Sequence, residues 1–254
     1  MSDAPARWLL RLRRGAAEPR VRLFCLPPAG GGTSTFRDWR DELDAAVELV
    51  LVQLPGREMR VSEPPLRDLG ELVERLARVL LPEISRPFAL FGHSFGALIA
   101  FELARLFRRR GWGRPSHLFF SARRAPHVPS NGSRLATLPD ARLIEAVQRR
   151  FGGIPPEIAA NREWTSLILP ALRADVGMDE SYQLVPEPPL DCPTTILGGT
   201  SDRALPRREL EEWRRHAAGP FTIRELPGDH FFLRSGQSHR EVLRTLAAAL
   251  LGGT

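Results

Sequence analysis

The chain has 254 residues, of which 43% are hydrophobic, which suits one sizeable α/β domain or two small ones. No apolar stretch is long and uncharged enough to span a bilayer, and arginines interrupt the only apolar patch near the start, so we expect neither a membrane protein nor a signal peptide. The formal net charge is +6 and every basic side chain is Arg, but the arginines are scattered, which favours an acidic protein partner over nucleic acid.

Six short apolar runs predict strands, and helical patterns separate them. The strands are predicted at 21–26, 47–53, 87–91, 116–121, 194–198 and 221–226, and the helices at 36–44, 68–84, 95–110, 206–217 and 236–251. Within 68–84, apolar residues recur every three or four positions, as on one face of a helix. Continuous apolar strands that alternate with helices predict an α/β fold, with a mostly parallel central sheet flanked by helices.

The alternation of strands and helices stops between residues 126 and 190. This segment shows no convincing strand and has helical patterns near 139–151 and 162–183. We therefore predict a helical insertion at 126–190 within a core formed by 1–125 and 191–254.

The two cysteines, Cys25 and Cys192, fall in or beside predicted strands. Two cysteines are too few for a disulfide framework, so both are predicted to be buried free thiols. This usage is typical of a cytoplasmic protein.

The stretch FALFGHSFGALIAFELARL at 88–106 holds a Gly-x-Ser-x-Gly motif between a predicted strand and a predicted helix. That context is typical of a nucleophile elbow. Gly92 and Gly96 would let strand and helix approach closely, while Ser94 would adopt an uncommon backbone conformation. Ser94 is thus a candidate nucleophile, and the Phe95 N–H would point toward an oxyanion. The alternative is an ordinary helix N-cap serine.

A serine nucleophile needs a base and an acid, and the chain offers candidates after its last two predicted strands. His230 follows the last strand, where loops of parallel sheets carry chemistry. Asp202 follows the preceding strand, whereas Asp229 is too close in sequence to reach the His230 ring easily. The order Ser94, Asp202, His230 is that of an α/β-hydrolase triad. His93 is expected to point away from Ser94 and to pack.

The loop CLPPAGGGTSTF at 25–36 follows an early predicted strand and is the candidate source of a second oxyanion donor. We predict the Ala29 N–H for this role. The loop lacks the endings of phosphate-binding motifs, so no nucleotide site is expected.

Five motifs in chain order resemble the stand-alone type II thioesterases of polyketide synthases and nonribosomal peptide synthetases. They are LFCLPPAGGG at 23–32, LPGRE at 54–58, GHSFGA at 92–97, GGTSD at 198–202 and GDHFFL at 228–233. The resemblance implies an α/β-hydrolase fold, a Ser94–Asp202–His230 triad and an oxyanion hole at the backbones of Ala29 and Phe95. It also implies that 126–190 is a helical lid.

The activity implied by the resemblance is hydrolysis of acyl groups from the phosphopantetheine arm of acyl or peptidyl carrier proteins, which would free blocked arms. Pro28 stands where the family commonly has an aromatic residue or His, and Phe95 where Met is common. Both flank the acyl site, so they bear on acyl preference. We expect a monomer that needs no cofactor or metal.

Other readings of the residues stay open. One is a generic serine esterase or lipase on a small free substrate. Another is acyl transfer to an amine or alcohol in place of water, and a third is a catalytically silent fold that binds a synthase.

The stretch WTSLILPALRADVGM at 164–178 is too apolar for a solvated helix. Pro170 is expected to kink or interrupt any helix there. Leu167 and Leu172, together with Pro28 and Phe231, are predicted to line an acyl chamber under the lid. Alternatively, the leucines only pack the insertion onto the sheet.

Overall fold

The computed structural model describes residues 5–15, 18–129, 134–234 and 236–252. Within them seven strands form one sheet: β1 (Leu9–Leu12), β2 (Val21–Leu26), β3 (Val47–Val52), β4 (Phe88–His93), β5 (His117–Ser121), β6 (Thr194–Gly199) and β7 (Phe221–Leu226). Their order is β1-β3-β2-β4-β5-β6-β7. β1 runs antiparallel to β3 and the other pairs are parallel, so the predicted fold class is confirmed.

Helices cover both faces of this sheet. They are α1 (Pro5–Trp8), α2 (Trp39–Glu42), α3 (Leu69–Leu80), α4 (Phe95–Arg110), α5 (Asp140–Phe151), α6 (Pro156–Ala160), α7 (Arg162–Ser181), α8 (Arg207–Glu211) and α9 (Gly236–Leu251). In the described part of the chain, none of them has the length and apolar character needed to cross a membrane.

Two hydrophobic cores lie on opposite faces because successive strand residues point to opposite sides. Phe24 of β2 packs in the core under α3 and α4. Its neighbours Leu23 and Cys25 pack in the second core, which includes residues of α2 and α9. This explains why β2, β3 and β4 are buried along their whole length and read as continuous apolar runs.

Five of the described strands and helices differ from the sequence prediction. The short helices α1 and α6 were not predicted. β1 was not predicted, because it is a four-residue edge strand with Arg11 in the middle and gives no apolar run. The predicted helix at 36–44 is reduced to the four residues of α2. The predicted helix at 206–217 ends as α8 and continues as a 3-10 helix over Glu212–His216.

The 126–190 insertion contains α5, α6 and α7, and its residues 130–133 lie outside the described part of the chain. Pro170 lies inside α7, so of the two expected effects the interruption was wrong, and the kink stays a prediction. Although proline removes one hydrogen bond of the helix, the residues that follow it, Ala171 and Leu172, are buried. Their packing keeps the segment helical.

Both cysteines are buried free thiols, as predicted. Burial raises the pKa of Cys192 to about 11 and raises that of Cys25 well above its ordinary value. Because the thiolate is the reactive form, neither side chain is poised as a nucleophile at neutral pH.

The passage from β4 into α4 brings backbone segments unusually close together. A Cβ atom on Gly92 would lie 2.2 Å from the Gly96 carbonyl oxygen, and one on Gly96 would lie 2.1 Å from the Leu26 carbonyl oxygen. Both obstacles are backbone atoms, which cannot rotate away as a side chain can. Glycine at these two positions therefore allows β4, α4 and the end of β2 to meet.

We predict that Gly96→Ala destabilises the fold by roughly 1–3 kcal/mol, because the backbone must shift to accept the methyl group. Urea denaturation measures the change. The control is Gly177→Ala in α7, where a Cβ would meet only the Ala136 methyl group at 3.7 Å. This control should be neutral or stabilising by up to about 1 kcal/mol. Equal midpoints for both variants would contradict the prediction.

Candidate active site

Ser94 lies at the turn between β4 and α4 and has a strained backbone, with φ of 54° and ψ of −115°. Two backbone hydrogen bonds hold it there. The Ser94 N–H donates to the Ser121 carbonyl oxygen at 2.8 Å, and the Ala97 N–H donates to the Ser94 carbonyl oxygen at 3.0 Å. A non-glycine residue with positive φ persists only where its surroundings enforce it, and such residues cluster at functional sites.

His230 and Asp202 continue a hydrogen-bonded chain from Ser94. His230 Nε2 lies 3.0 Å from Ser94 Oγ, and His230 Nδ1 lies 2.7 Å from Asp202 Oδ2. The Ala204 N–H donates to the other Asp202 oxygen at 2.9 Å. The side chains of Asp202 and His230 are almost completely buried. The arrangement matches the nucleophile, base and orienting acid of a serine hydrolase.

Asp229, the alternative acid, and Asp191, the acidic residue just before β6, have other partners. Asp229 Oδ1 accepts a hydrogen bond from the Phe231 N–H at 2.8 Å, so this carboxylate shapes its own turn. Asp191 precedes β6 and pairs with Arg114 at 2.7 Å. Of these three acids, the structure brings Asp202 to the His230 ring.

His93 points away from Ser94, and its Nδ1 lies 2.9 Å from Ser121 Oγ. Its ring packs against those of His230 and Phe231, each with centroids 5.4 Å away. Burial lowers the pKa of His93 well below 6.5, and the nearby His230 adds to the effect. A neutral ring at this position avoids repulsion when His230 accepts a proton.

The predicted oxyanion donors sit on two segments that touch. Gly96 packs against the carbonyl groups of Leu26 and Pro27, which places the glycine-rich loop (residues 27–32) beside the start of α4. Ala29 and Phe95 line the same cavity as Ser94. Among the described residues, no hydrogen bond is seen from either of their N–H groups, and their role as oxyanion donors stays a prediction.

A cavity of about 720 Å³ opens above Ser94 and His230. The candidate substrate residues Pro28, Leu167, Leu172 and Phe231 all line it, together with other apolar side chains that include Val147, Phe151, Ile158 and Ile168. An apolar cavity with a few convergent polar groups is the usual form of a small-molecule site. In the described residues, no group of three or more His, Cys, Asp or Glu side chains could hold a metal ion.

The leucines of α7 divide between the cavity and the interior of the insertion. Leu167 is 52% exposed at the cavity, whereas Leu169 is 8% exposed and does not line it. Leu169 and Leu172 belong to a separate hydrophobic cluster with Leu143 of α5. Leu167 therefore lines the cavity, and Leu169 packs inside the insertion. Leu172 does both.

The arginine cluster at 105–114 has a structural use that the sequence did not reveal. Arg105, Arg108 and Arg109 form ion pairs with Glu187. Arg110 pairs with Glu74. The pairs with Glu187 connect the segment between α7 and β6 to α4, and the pair with Glu74 connects α3 to α4, so these arginine side chains already have acidic partners within the protein.

Sequence reasoning missed three charged residues beside the glycine-rich loop. Arg57 and Asp175 form a buried ion pair, and Glu58 accepts hydrogen bonds from Thr33 and Ser34. Arg57 and Glu58 belong to the LPGRE motif, which was noted only as part of the resemblance. The available signal was a pair of adjacent opposite charges directly after the glycine that follows the predicted strand at 47–53.

Comparison with known proteins identifies the family. The thioesterase domain family matches residues 21–250. The chain belongs to this family. It is 41% identical over 254 residues to the linear gramicidin dehydrogenase LgrE of Brevibacillus parabrevis. The matched region covers 98% of this chain and 96% of that protein. The name of this relative denotes a redox activity, whereas the matched family is one of thioester hydrolases.

Two solved structures of thioesterases are similar in sequence and fold. One is the RedJ thioesterase from the prodiginine pathway of Streptomyces coelicolor, with 40% identity, a TM-score of 0.86, and coverage of 94% of this chain and 96% of that chain. The other is the type II thioesterase BorB from the borrelidin cluster, with 34% identity, a TM-score of 0.85, and coverage of 96% and 97%. This thioesterase is therefore a hydrolase of α/β-hydrolase fold that acts on thioesters.

We predict that Asp202→Asn lowers kcat by roughly 10⁴, because an amide cannot stabilise the charged imidazolium or hold its tautomer. Hydrolysis of a small acyl thioester measures the loss. Asp229→Asn is the matched control, since its carboxylate accepts from the Phe231 N–H and does not contact His230. A large loss of kcat in Asp229→Asn together with a small loss in Asp202→Asn would show that the wrong acid was assigned.

Leu167→Ala should change the preferred acyl length at little cost in stability, because its side chain is exposed at the cavity. Leu169→Ala, the buried control two positions away, should instead cost about 2–5 kcal/mol and leave the preference unchanged. Measurements are kcat/KM for short and long acyl thioesters, together with urea denaturation. The same length profile for Leu167→Ala and wild type would remove Leu167 from the acyl chamber.

Proposed function

We propose that this protein is a type II thioesterase that hydrolyses acyl groups from the phosphopantetheine arm of carrier proteins in polyketide or nonribosomal peptide synthesis. The observation that carries the proposal is the hydrogen-bonded chain from Ser94 through His230 to Asp202 at an apolar cavity. The pathway assignment draws on similar thioesterases that are named for the prodiginine biosynthetic pathway and the borrelidin biosynthetic cluster.

In the first half of the reaction, Ser94 Oγ attacks the thioester carbonyl carbon while His230 Nε2 takes the hydroxyl proton. Asp202 stabilises the imidazolium. The oxygen of the tetrahedral intermediate accepts hydrogen bonds from the Ala29 and Phe95 N–H groups. The C–S bond then breaks, and the leaving sulfur takes the proton from His230, which leaves an acyl group on Ser94.

In the second half, water takes the place of the thiol. His230 removes a proton from this water as its oxygen bonds to the acyl carbon, and the same two N–H groups hold the oxyanion. Collapse of the intermediate breaks the bond to Ser94 Oγ, which recovers the proton from His230. The products are a free acid, a free thiol and the original enzyme.

The cavity favours an acyl group on a slender carrier arm. Apolar side chains remove an acyl chain from water, and each buried CH₂ contributes about 0.8 kcal/mol. Val61, Trp164 and Leu167 line the cavity and are between 44% and 56% exposed, so they extend its apolar surface to the solvent. The net charge of +6 favours encounter with an acidic partner.

The test is hydrolysis of a panel of acyl groups loaded on one carrier protein, followed by mass spectrometry of the carrier and the released product. We predict free acid and regenerated carrier thiol, with kcat/KM above that for a matched simple oxygen ester. Ser94→Ala should lower kcat on the order of 10⁶ and remain folded, because the change deletes one hydroxyl group.

Each alternative has its own outcome in this experiment. Faster turnover of the simple ester than of the acyl carrier would favour a generic esterase. An amide or ester product in place of the acid would favour an acyltransferase. Near wild-type hydrolysis by folded Ser94→Ala would remove the serine mechanism.

A further inference from the structure

Arg57 and Glu58 approach the glycine-rich loop from the turn that follows β3. Glu58 begins a 3-10 helix over Glu58–Arg60. The two adjacent side chains reach different parts of the loop region, and a third side chain, Asp175 of α7, reaches it from the insertion. None of the three contacts Ser94, His230 or Asp202.

Asp175 binds the Ala29–Gly30 peptide group, and Arg57 binds the Gly31–Gly32 peptide group. The Gly30 N–H donates to Asp175 Oδ2 at 2.8 Å, and Arg57 Nη1 donates to the Gly31 carbonyl oxygen at 3.3 Å. Arg57 also donates to both oxygens of Asp175, with Nη1–Oδ2 at 2.5 Å and Nη2–Oδ1 at 3.0 Å. Such a forked pair fixes both position and angle.

Asp175 is buried without exposure, and Arg57 is 5% exposed. A carboxylate in such a place needs every available donor, and here two come from Arg57 and one from Gly30. The loop N–H is thus part of the solvation shell of a buried charge. Moving the loop would leave that charge poorly satisfied, which is costly in a low-dielectric interior.

Glu58 holds the residues that follow the loop. Its Oε2 accepts from Thr33 N–H at 2.8 Å and from Thr33 Oγ1 at 2.5 Å, and its Oε1 accepts from Ser34 N–H at 2.9 Å. Burial acts to raise the pKa of Glu58, but these hydrogen bonds outweigh it and lower the pKa below 4.5. Glu58 has a φ of 47°, a strained value that its contacts maintain.

We propose that Arg57, Glu58 and Asp175 are positioning residues that hold the glycine-rich loop where the Ala29 N–H completes the oxyanion hole. Ala29 directly precedes the residue whose N–H is bound by Asp175, so a shift of that peptide moves the donor. The inference rests on the proposed function for the role of Ala29. A donor is effective only when it is fixed before charge develops, and displacements of about 1 Å can cost about 10² in rate.

The position of Asp175 also ties the insertion to the chemistry. Leu172, one turn earlier in α7, packs against Gly30, where an added Cβ would lie 3.1 Å from the Leu172 Cβ. Met178, one turn later, belongs to the core under α3 and α4. Residues 172–178 of α7 therefore connect the glycine-rich loop to the core under α3 and α4.

The first test compares Asp175→Asn and Glu58→Gln with wild type on a small acyl thioester. Asn keeps an acceptor for Gly30 but loses the charge and one arm of the Arg57 fork. We expect kcat to fall about 10- to 100-fold with KM within about threefold, since the loss is confined to the transition state. The control is Asp140→Asn in α5. This change weakens the ion pair between Asp140 and Arg173, which lies in α7 like Asp175, and it leaves the hydrogen bonds of the glycine-rich loop unchanged. It should leave kcat unchanged.

The second test separates positioning from general destabilisation. A boronic acid that forms a tetrahedral adduct on Ser94 probes the oxyanion hole, and the carboxylic acid product probes ground-state binding. In protein shown by circular dichroism to be folded, Asp175→Asn should weaken boronate binding in parallel with kcat/KM and leave product binding unchanged. If Asp175→Asn does not fold, the same measurements of boronate affinity, product affinity and kcat/KM are made on Arg57→Lys and Glu58→Gln, with the same expected results.

Two results would overturn the inference. One is a folded Asp175→Asn or Glu58→Gln with the kcat of the Asp140→Asn control. The other is an equal loss of boronate and product affinity, which indicates a distorted cavity. A wild-type enzyme that hydrolyses the small thioester but not an acyl carrier would remove the proposed function and leave this inference intact.

Discussion

The close contact of β4, α4 and the end of β2 is the constraint on which the site depends. Ser94 keeps a φ of 54° because its neighbours Gly92 and Gly96 allow backbone to pack directly on backbone. The same contact presses the start of α4 against the end of β2. Ser94 and the start of the glycine-rich loop are therefore positioned by one packing arrangement.

The parallel sheet brings the remaining groups to this point. The glycine-rich loop follows β2, Ser94 follows β4, Asp202 follows β6 and His230 follows β7. Because these strands are parallel, their carboxyl ends meet at one edge, where groups far apart in the chain converge. Ser94 and His230 are 136 positions apart, and a 3.0 Å contact joins them. Burial of the Asp202–His230 pair excludes water from the contact that orients the base.

The insertion at 126–190 contributes apolar side chains to the cavity and a buried carboxylate beside the glycine-rich loop. Its outer part adds apolar side chains to the cavity, and Leu167 is exposed there while Leu169 packs within the insertion. Its inner part places Asp175 against Arg57 and Gly30. A buried ion pair is weak evidence for stability, because desolvation of both charges offsets their attraction. A positioning role accounts for this pair better than a contribution to folding energy.

Most strands and the candidate site residues could be predicted from local sequence patterns. Continuous apolar runs predicted β2, β3 and β4, since buried parallel strands are apolar on both faces. β7 was also predicted, although this edge strand alternates between exposed and half-buried residues along most of its length. The strand–Gly-x-Ser-x-Gly–helix order predicted the turn at Ser94. The choice of His230 and Asp202 followed from their positions after β7 and β6. β1 was not predicted because a short edge strand with a central Arg has little apolar character. Of the helix predicted at 36–44, the four residues of α2 are helical.

The contacts of Arg57, Glu58 and Asp175 were decided only by tertiary structure. Arg57 and Asp175 are separated by 118 positions, and nothing in their local sequence says which opposite charge each will meet. Likewise, the leucines of α7 look alike in sequence, and the packing of α7 against α5 and the glycine-rich loop determines which face the cavity. Local sequence specifies strands, helices and turns through near-neighbour sterics and periodicity. Partners across the fold are selected by three-dimensional burial, which forces each buried charge and each apolar surface to find a complement.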